Sequence, residues 1–149
     1  MTPFVTAGAA FLFTILYADL MFDVQVVRHR GRELPEDVLA SISGYYRRVT
    51  VSARPLNRLV VVVMAGTLAA IVAQIAGDDA PDWVGWASLV LAASPILLAG
   101  VHTFPSAVRL AGRDDAVDVQ SRLARSICRD HVFCVVAITS LLAVQLGFG

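Results

Sequence analysis

Leu59-Val60-Val61-Val62-Val63-Met64-Ala65-Gly66-Thr67-Leu68-Ala69-Ala70-Ile71-Val72-Ala73-Gln74-Ile75-Ala76 is a run of eighteen residues without a charge, preceded closely by Arg54 and Arg58. At the rise of a helix it reaches about 27 Å, nearly the depth of a hydrocarbon core about 30 Å thick. Three more runs read the same way, about Pro3 to Phe22, Trp83 to Phe104 and His131 to Phe148. The chain is 57% apolar and 16% charged, with a mean hydropathy of +0.70. Soluble domains carry about 25% charged residues, so this composition excludes the ordinary globular class. The expected fold is all-α, an integral membrane four-helix bundle in which residues 1–149 form a single membrane domain.

The charges orient it. All twelve basic residues are arginine, seven from Arg28 to Arg58 and five from Arg109 to Arg129, and there is no lysine. Guanidinium is disfavoured at the bilayer centre and basic loops stay in the cytoplasm, so both arginine segments are expected there and both termini outside. Around those arginines stand eight acids, a net of +4, whereas the turn from Gly77 to Asp82 carries three aspartates and no base. The first run has no basic residue before its apolar stretch, so it reads as a retained span and not as a signal peptide. Arginine without lysine suggests GC-rich bacterial coding, hence a bacterial plasma membrane, multi-pass. The lipid bilayer is the first expected partner, and a larger membrane protein complex or a homodimer the next. Nucleic acid is not expected, because acids interleave with the arginines and no aromatic platform accompanies them.

Shifting the chain by 81 residues lays Val27-Arg28-His29-Arg30-Gly31-Arg32-Glu33 over Val108-Arg109-Leu110-Ala111-Gly112-Arg113-Asp114, then Asp37-Val38 over Asp118-Val119 and Arg48 over Arg129. Each copy follows an inward span and precedes an outward one. This predicts two similar transmembrane hairpins, residues 1–76 and 77–149, as a parallel internal repeat. In each copy the glycine is expected to take positive φ where a helix ends. Acids after it, Pro35-Glu36-Asp37 and Asp114-Asp115, suit a first helical turn. Val38, Leu39, Ile42, Tyr45, Tyr46 and Val49 then form an apolar stripe, and Val117, Val119, Leu123 and Ile127 a poorer one. Each loop is therefore expected to hold an amphipathic cytoplasmic helix, lying along the bilayer surface.

Small residues predict close helix packing, Gly66, Ala69, Ala70 and Ala73 on the second span and Ala92, Ala93, Ala99 and Gly100 on the third. Pro95 is expected to kink the third. Thr67, Gln74, Thr139 and Gln145 are polar enough to bond across helices.

Four arginines related by the repeat, Arg28, Arg32, Arg109 and Arg113, are the candidate lipid- or anion-binding residues, since guanidinium suits phosphate; the plain alternative is topology and salt bridging. Asp19 lies inside the first apolar run with Asp23 one turn on, which makes it either a proton or cation site or one half of a pair with an arginine. His102 and His131 end the third span and begin the fourth, near Asp19. Two such histidines could hold haem b, or simply bond to headgroups, carboxylates or carbonyls. Cys128, His131 and Cys134, spaced by three, are the only candidate metal set, against which stands a pair of buried inert thiols. Six residues apart on a helix, the cysteines are too distant for a disulfide. His29 reads as surface.

No GxSxG, HExxH or glycine-rich phosphate loop is present, so no catalytic residue is assigned. Three functions remain. The first is a non-enzymatic polytopic membrane protein whose arginine-rich face binds anionic lipid or a larger complex. The second is a membrane oxidoreductase or other cofactor-bearing enzyme around His102 and His131. The third is a small proton-coupled transporter using Asp19.

Overall fold

The computed structural model describes residues 1–52, 54–77 and 80–149, and of Arg54 the backbone alone. Asp78 and Asp79 of the acidic turn lie outside the described residues. The fold is all-α. Helix α1 is Thr2–Asp23, followed by a 3-10 turn, Val24–Arg28; α2 is Glu36–Tyr46, followed by a π-helical turn, Arg47–Ser52; α3 is Arg54–Ala76. Helix α4, Asp82–Leu98, passes through a π-helical turn, Ala99–Thr103, into α5, Phe104–Gly112, and α6 is Val117–Phe148. Four helical stretches are long and apolar enough to cross a membrane: Thr2–Arg28, Pro55–Ala76, Asp82–Gly112 and Val117–Phe148. This is a small polytopic all-α membrane protein.

Prolines set the helix boundaries. Pro35 precedes α2, whose first turn carries Glu36 and Asp37, and Pro81 precedes α4 with Asp82 behind it. Proline fixes φ and lacks the N–H that a first turn leaves unbonded, and the acids complement the helix dipole. Pro95 lies within α4, and the π-helical turn follows four residues later, ahead of Pro105 in α5. Such a turn absorbs the hydrogen bonds that proline disturbs.

The spans form a ring in which α1 packs on α3 and α6, and α4 on the same two. Every neighbouring pair is antiparallel. Gln74 of α3 meets Thr2, Ser88 of α4 meets Gln145 and, at the other end, His131 of α6 meets Asp23. Residues 28–58 and 109–129 therefore share one end of the bundle, the arginine end. The closest approaches are at Gly8, where a Cβ would collide with Thr67 Oγ1, and at Gly85, where it would stand 2.5 Å from Ile75. The expected small-residue faces do not serve this purpose throughout: Gly66, Ala69 and Gly100 are exposed, although Ala92 is buried. Thr67 and Thr139 likewise bond to carbonyls of their own helices, Val63 and Val135. Gln74 and Gln145 do reach across, exchanging amide hydrogen bonds of 3.4 and 3.0 Å, with Ser88 accepting from Gln145 at 2.7 Å.

Two apolar cores result. One lies within the spans, built on Val5, Ala9, Ile71, Ala92, Ile138 and Leu141. The other lies at the arginine end, where Val38, Leu39, Ile42 and Tyr46 of α2 meet Ala107 and Leu110 of α5 and Ala124 and Ile127 of α6. The stripe of α2 is thus covered by protein. Its burial against α5 and α6 removes the apolar area that would otherwise seek lipid. In the second loop the helix is α5, which continues from α4 through the π-helical turn, and the amphipathic residues from Val117 onward are the first turns of α6 itself.

The expected glycine turns also differ. No glycine among the described residues has positive φ; Arg113 does, at φ 60 and ψ 22. Gly112 serves instead to let the Asp114 carboxylate close in, since a Cβ there would meet its Oδ2 at 2.9 Å.

Candidate functional site

Where α1 leaves the inner core, its last two turns carry Asp19 and Asp23 on one face, and α2 and α6 close over them. Asp23 is fully buried. Its Oδ1 accepts the Tyr46 hydroxyl at 2.6 Å, and its Oδ2 lies 2.5 Å from His131 Nδ1. Asp19 accepts the Tyr45 hydroxyl at 2.5 Å, and its other oxygen stands 3.9 Å from His131 Nε2. Tyr45 stacks on Phe22, with ring centroids 4.0 Å apart, which fixes its direction. One imidazole therefore sits between two carboxylates, each held by a tyrosine. Burial above all raises both phenols above their ordinary range, so they stay protonated and act as donors.

Asp19 and Asp23 are thus brought together with His131, but the bonding partner of Asp19 is Tyr45 where an arginine was expected. His102 is not part of the cluster. It is exposed, and its Nδ1 lies 2.6 Å from Asp130, which also accepts the Thr103 hydroxyl at 2.8 Å. The two histidines are committed to separate carboxylates. Among the described residues no group of three or more His, Cys, Asp or Glu is disposed to hold a metal ion, and Cys128 and Cys134 are buried free thiols. Tyr45 and Tyr46 enter the sequence reading as members of an apolar stripe. A phenol within such a stripe signals a hydroxyl that needs an acceptor, and that is the role they take.

Beside this cluster an open groove of about 900 Å³ runs along the outer face of α6. Arg30, Arg109, Arg122, Arg125 and Arg129 line it with His102, and Val26, Val27, Val119 and Leu123 give it an apolar floor. Three of these arginines are engaged. Arg109 makes two hydrogen bonds of 2.7 Å to Asp115, Arg122 makes one of 2.7 Å to Asp118, and Arg125 ties down the carbonyls of His29 and Gly31. The Arg109 hydrogen bonds hold the Asp115 carboxyl below its usual range. Arg30 and Arg129 are exposed and make no ion pair among the described residues.

The four arginines singled out by the repeat do not converge. Arg109 lines the groove; Arg113 is turned to Glu36, with contacts of 2.6 and 2.7 Å; Arg28 and Arg32 are exposed outside it. The bond from Arg113 to Glu36 joins the end of α5 to the first turn of α2. Arg125 and Ser121, which accepts the Leu34 N–H at 2.9 Å, pin the loop before α2 to α6.

No protein-family model, curated protein or solved structure matches this chain.

Proposed function

We propose that this membrane protein is non-enzymatic and that its arginine end, facing the cytoplasm with both termini outside, binds the phosphate of an anionic lipid headgroup in the groove along α6. The observation that carries this reading is the lining itself. Five guanidiniums stand over a floor of Val26, Val27, Val119 and Leu123, and two of them, Arg30 and Arg129, have no acid to neutralise them among the described residues. Guanidinium binds phosphate oxygens through paired N–H donors, and an apolar floor beside it suits the start of an acyl chain. A basic residue near an anionic membrane surface gains about 1 kcal/mol, so two unpaired arginines contribute about 2 kcal/mol of preference. Membership of a larger membrane complex is compatible with the same face.

The test is native mass spectrometry and lipid exchange in nanodiscs. Phosphatidylglycerol should be retained over phosphatidylcholine, and Arg30→Gln with Arg129→Gln should abolish the preference. Competition by inorganic phosphate would mark a site for free phosphate instead, whereas equal retention of both lipids would refute the reading.

A further inference from the structure

The cluster of Asp19, Asp23, His131, Tyr45 and Tyr46 lies beside the groove, and none of its five residues lines it. Its charges do not balance by themselves. Two carboxylates face one imidazole, so even an imidazolium neutralises only one of them. No arginine makes an ion pair with either carboxylate among the described residues, and Arg28 on the 3-10 turn and Arg58 on α3 are exposed. The remaining titratable groups nearby on α6 are Cys128, a buried thiol, and Asp130, which is taken up by His102 and Thr103. An uncompensated charge in so enclosed a place is costly, and a group so placed takes up a proton instead.

The hydrogen bonds show which carboxylate this is. Both oxygens of Asp23 have a partner, Tyr46 and His131 Nδ1, which supports the ionised form. Asp19 has one donor, Tyr45 on Oδ1, and its Oδ2 faces His131 Nε2 at 3.9 Å, beyond hydrogen-bond reach. The Asp19 side chain keeps 16% of its surface open, against none for Asp23, so a proton has a path to it.

We infer that Asp19 and His131 form a proton-binding site in which Asp19 carries a proton on Oδ2 while Asp23 and His131 stand as an ion pair. Loss of that proton leaves a carboxylate at Asp19 and one net negative charge in the cluster. Tyr45 and Tyr46 join this cluster to α2, which lies outside the spans and packs against α5 and α6. An enclosed uncompensated charge draws water, so release of the proton loosens the packing of α2 over the cluster.

Infrared spectroscopy of the full chain in nanodiscs tests this directly. A carboxylic-acid C=O band is expected at neutral pH, lost on titration to alkaline pH, absent in Asp19→Asn and unchanged in Glu36→Gln. Should Asp19→Asn not fold, Tyr45→Phe serves: removing the hydrogen bond to Asp19 should move the band to higher wavenumber. Amide hydrogen exchange, corrected for its intrinsic pH dependence, should rise in residues 36–46 over the interval in which the band disappears. Absence of the band at neutral pH, or a band indifferent to both Asp19→Asn and Tyr45→Phe, overturns the site. Exchange in α2 that does not follow the band overturns the coupling to that helix.

Discussion

Asp23→Ala should be among the most damaging single substitutions in this protein, and the size of its effect can be worked from the structure. The carboxylate is wholly enclosed and accepts from two donors, the Tyr46 hydroxyl and His131 Nδ1. Truncation leaves both groups buried without the carboxylate, with only the long 3.5 Å contact between the Tyr46 hydroxyl and His131 Nδ1 remaining. At about 1–3 kcal/mol for each orphaned buried donor, the loss is about 2–6 kcal/mol, a large fraction of the 5–15 kcal/mol typical of folded proteins. Asp23→Asn keeps one acceptor oxygen and should cost roughly half as much. The combination Asp23→Leu, His131→Leu and Tyr46→Phe removes donors and acceptor together, and should recover much of the loss, because apolar groups of similar volume replace a polar network at little cost. Circular dichroism during sodium dodecyl sulfate titration of bicelle-embedded protein measures all three. A cost for Asp23→Ala under about 1 kcal/mol would refute the reasoning. So would a triple variant no more stable than the single one, since the penalty would then not arise from unpartnered polar groups.

Other outcomes follow from the same contacts. Gly8→Ala places a Cβ against Thr67 Oγ1 and should destabilise by about 1–3 kcal/mol, with partial recovery when Thr67→Ala is added; the same titration reads both. Gln74→Leu should cost about 1–3 kcal/mol by stranding part of the Gln145 amide, and adding Gln145→Leu should cost much less than a second such step, a coupling that a double-mutant cycle measures. Folded Tyr45 and Tyr46 hold their protons above the ordinary phenol value of 10.0, so their contribution is fully present below that pH and is lost as pH rises past it. Stability should therefore fall between about pH 9 and about pH 11, less steeply in Tyr45→Phe with Tyr46→Phe, with phenolate absorbance as the monitor.

Much of the architecture was legible along the chain. Four long apolar runs have no stable state in water, and twelve arginines grouped in two segments cannot sit in hydrocarbon, so span number and the common end of both segments follow from transfer free energies that each residue carries wherever it lies. Pro35 marked the start of α2 for an equally local reason: a missing N–H and a fixed φ act on the nearest turn.

The contents of the arginine end depended on which surfaces met. The stripe of α2 is compatible with lipid or with protein, and only the packing of Leu110 and Ile127 against Leu39 and Ile42 chose protein. Asp19 sought a partner that sequence supplies in abundance as arginine, yet helix geometry set Tyr45 beside it and put His131, more than a hundred residues from Asp23, between the two acids. The repeat likewise matched Arg28 with Arg109 in sequence, while in space Arg109 joined Arg30 and Arg129. Hydrogen bonds and ion pairs act over a few ångströms, so their partners are determined by how helices dock and not by spacing along the chain.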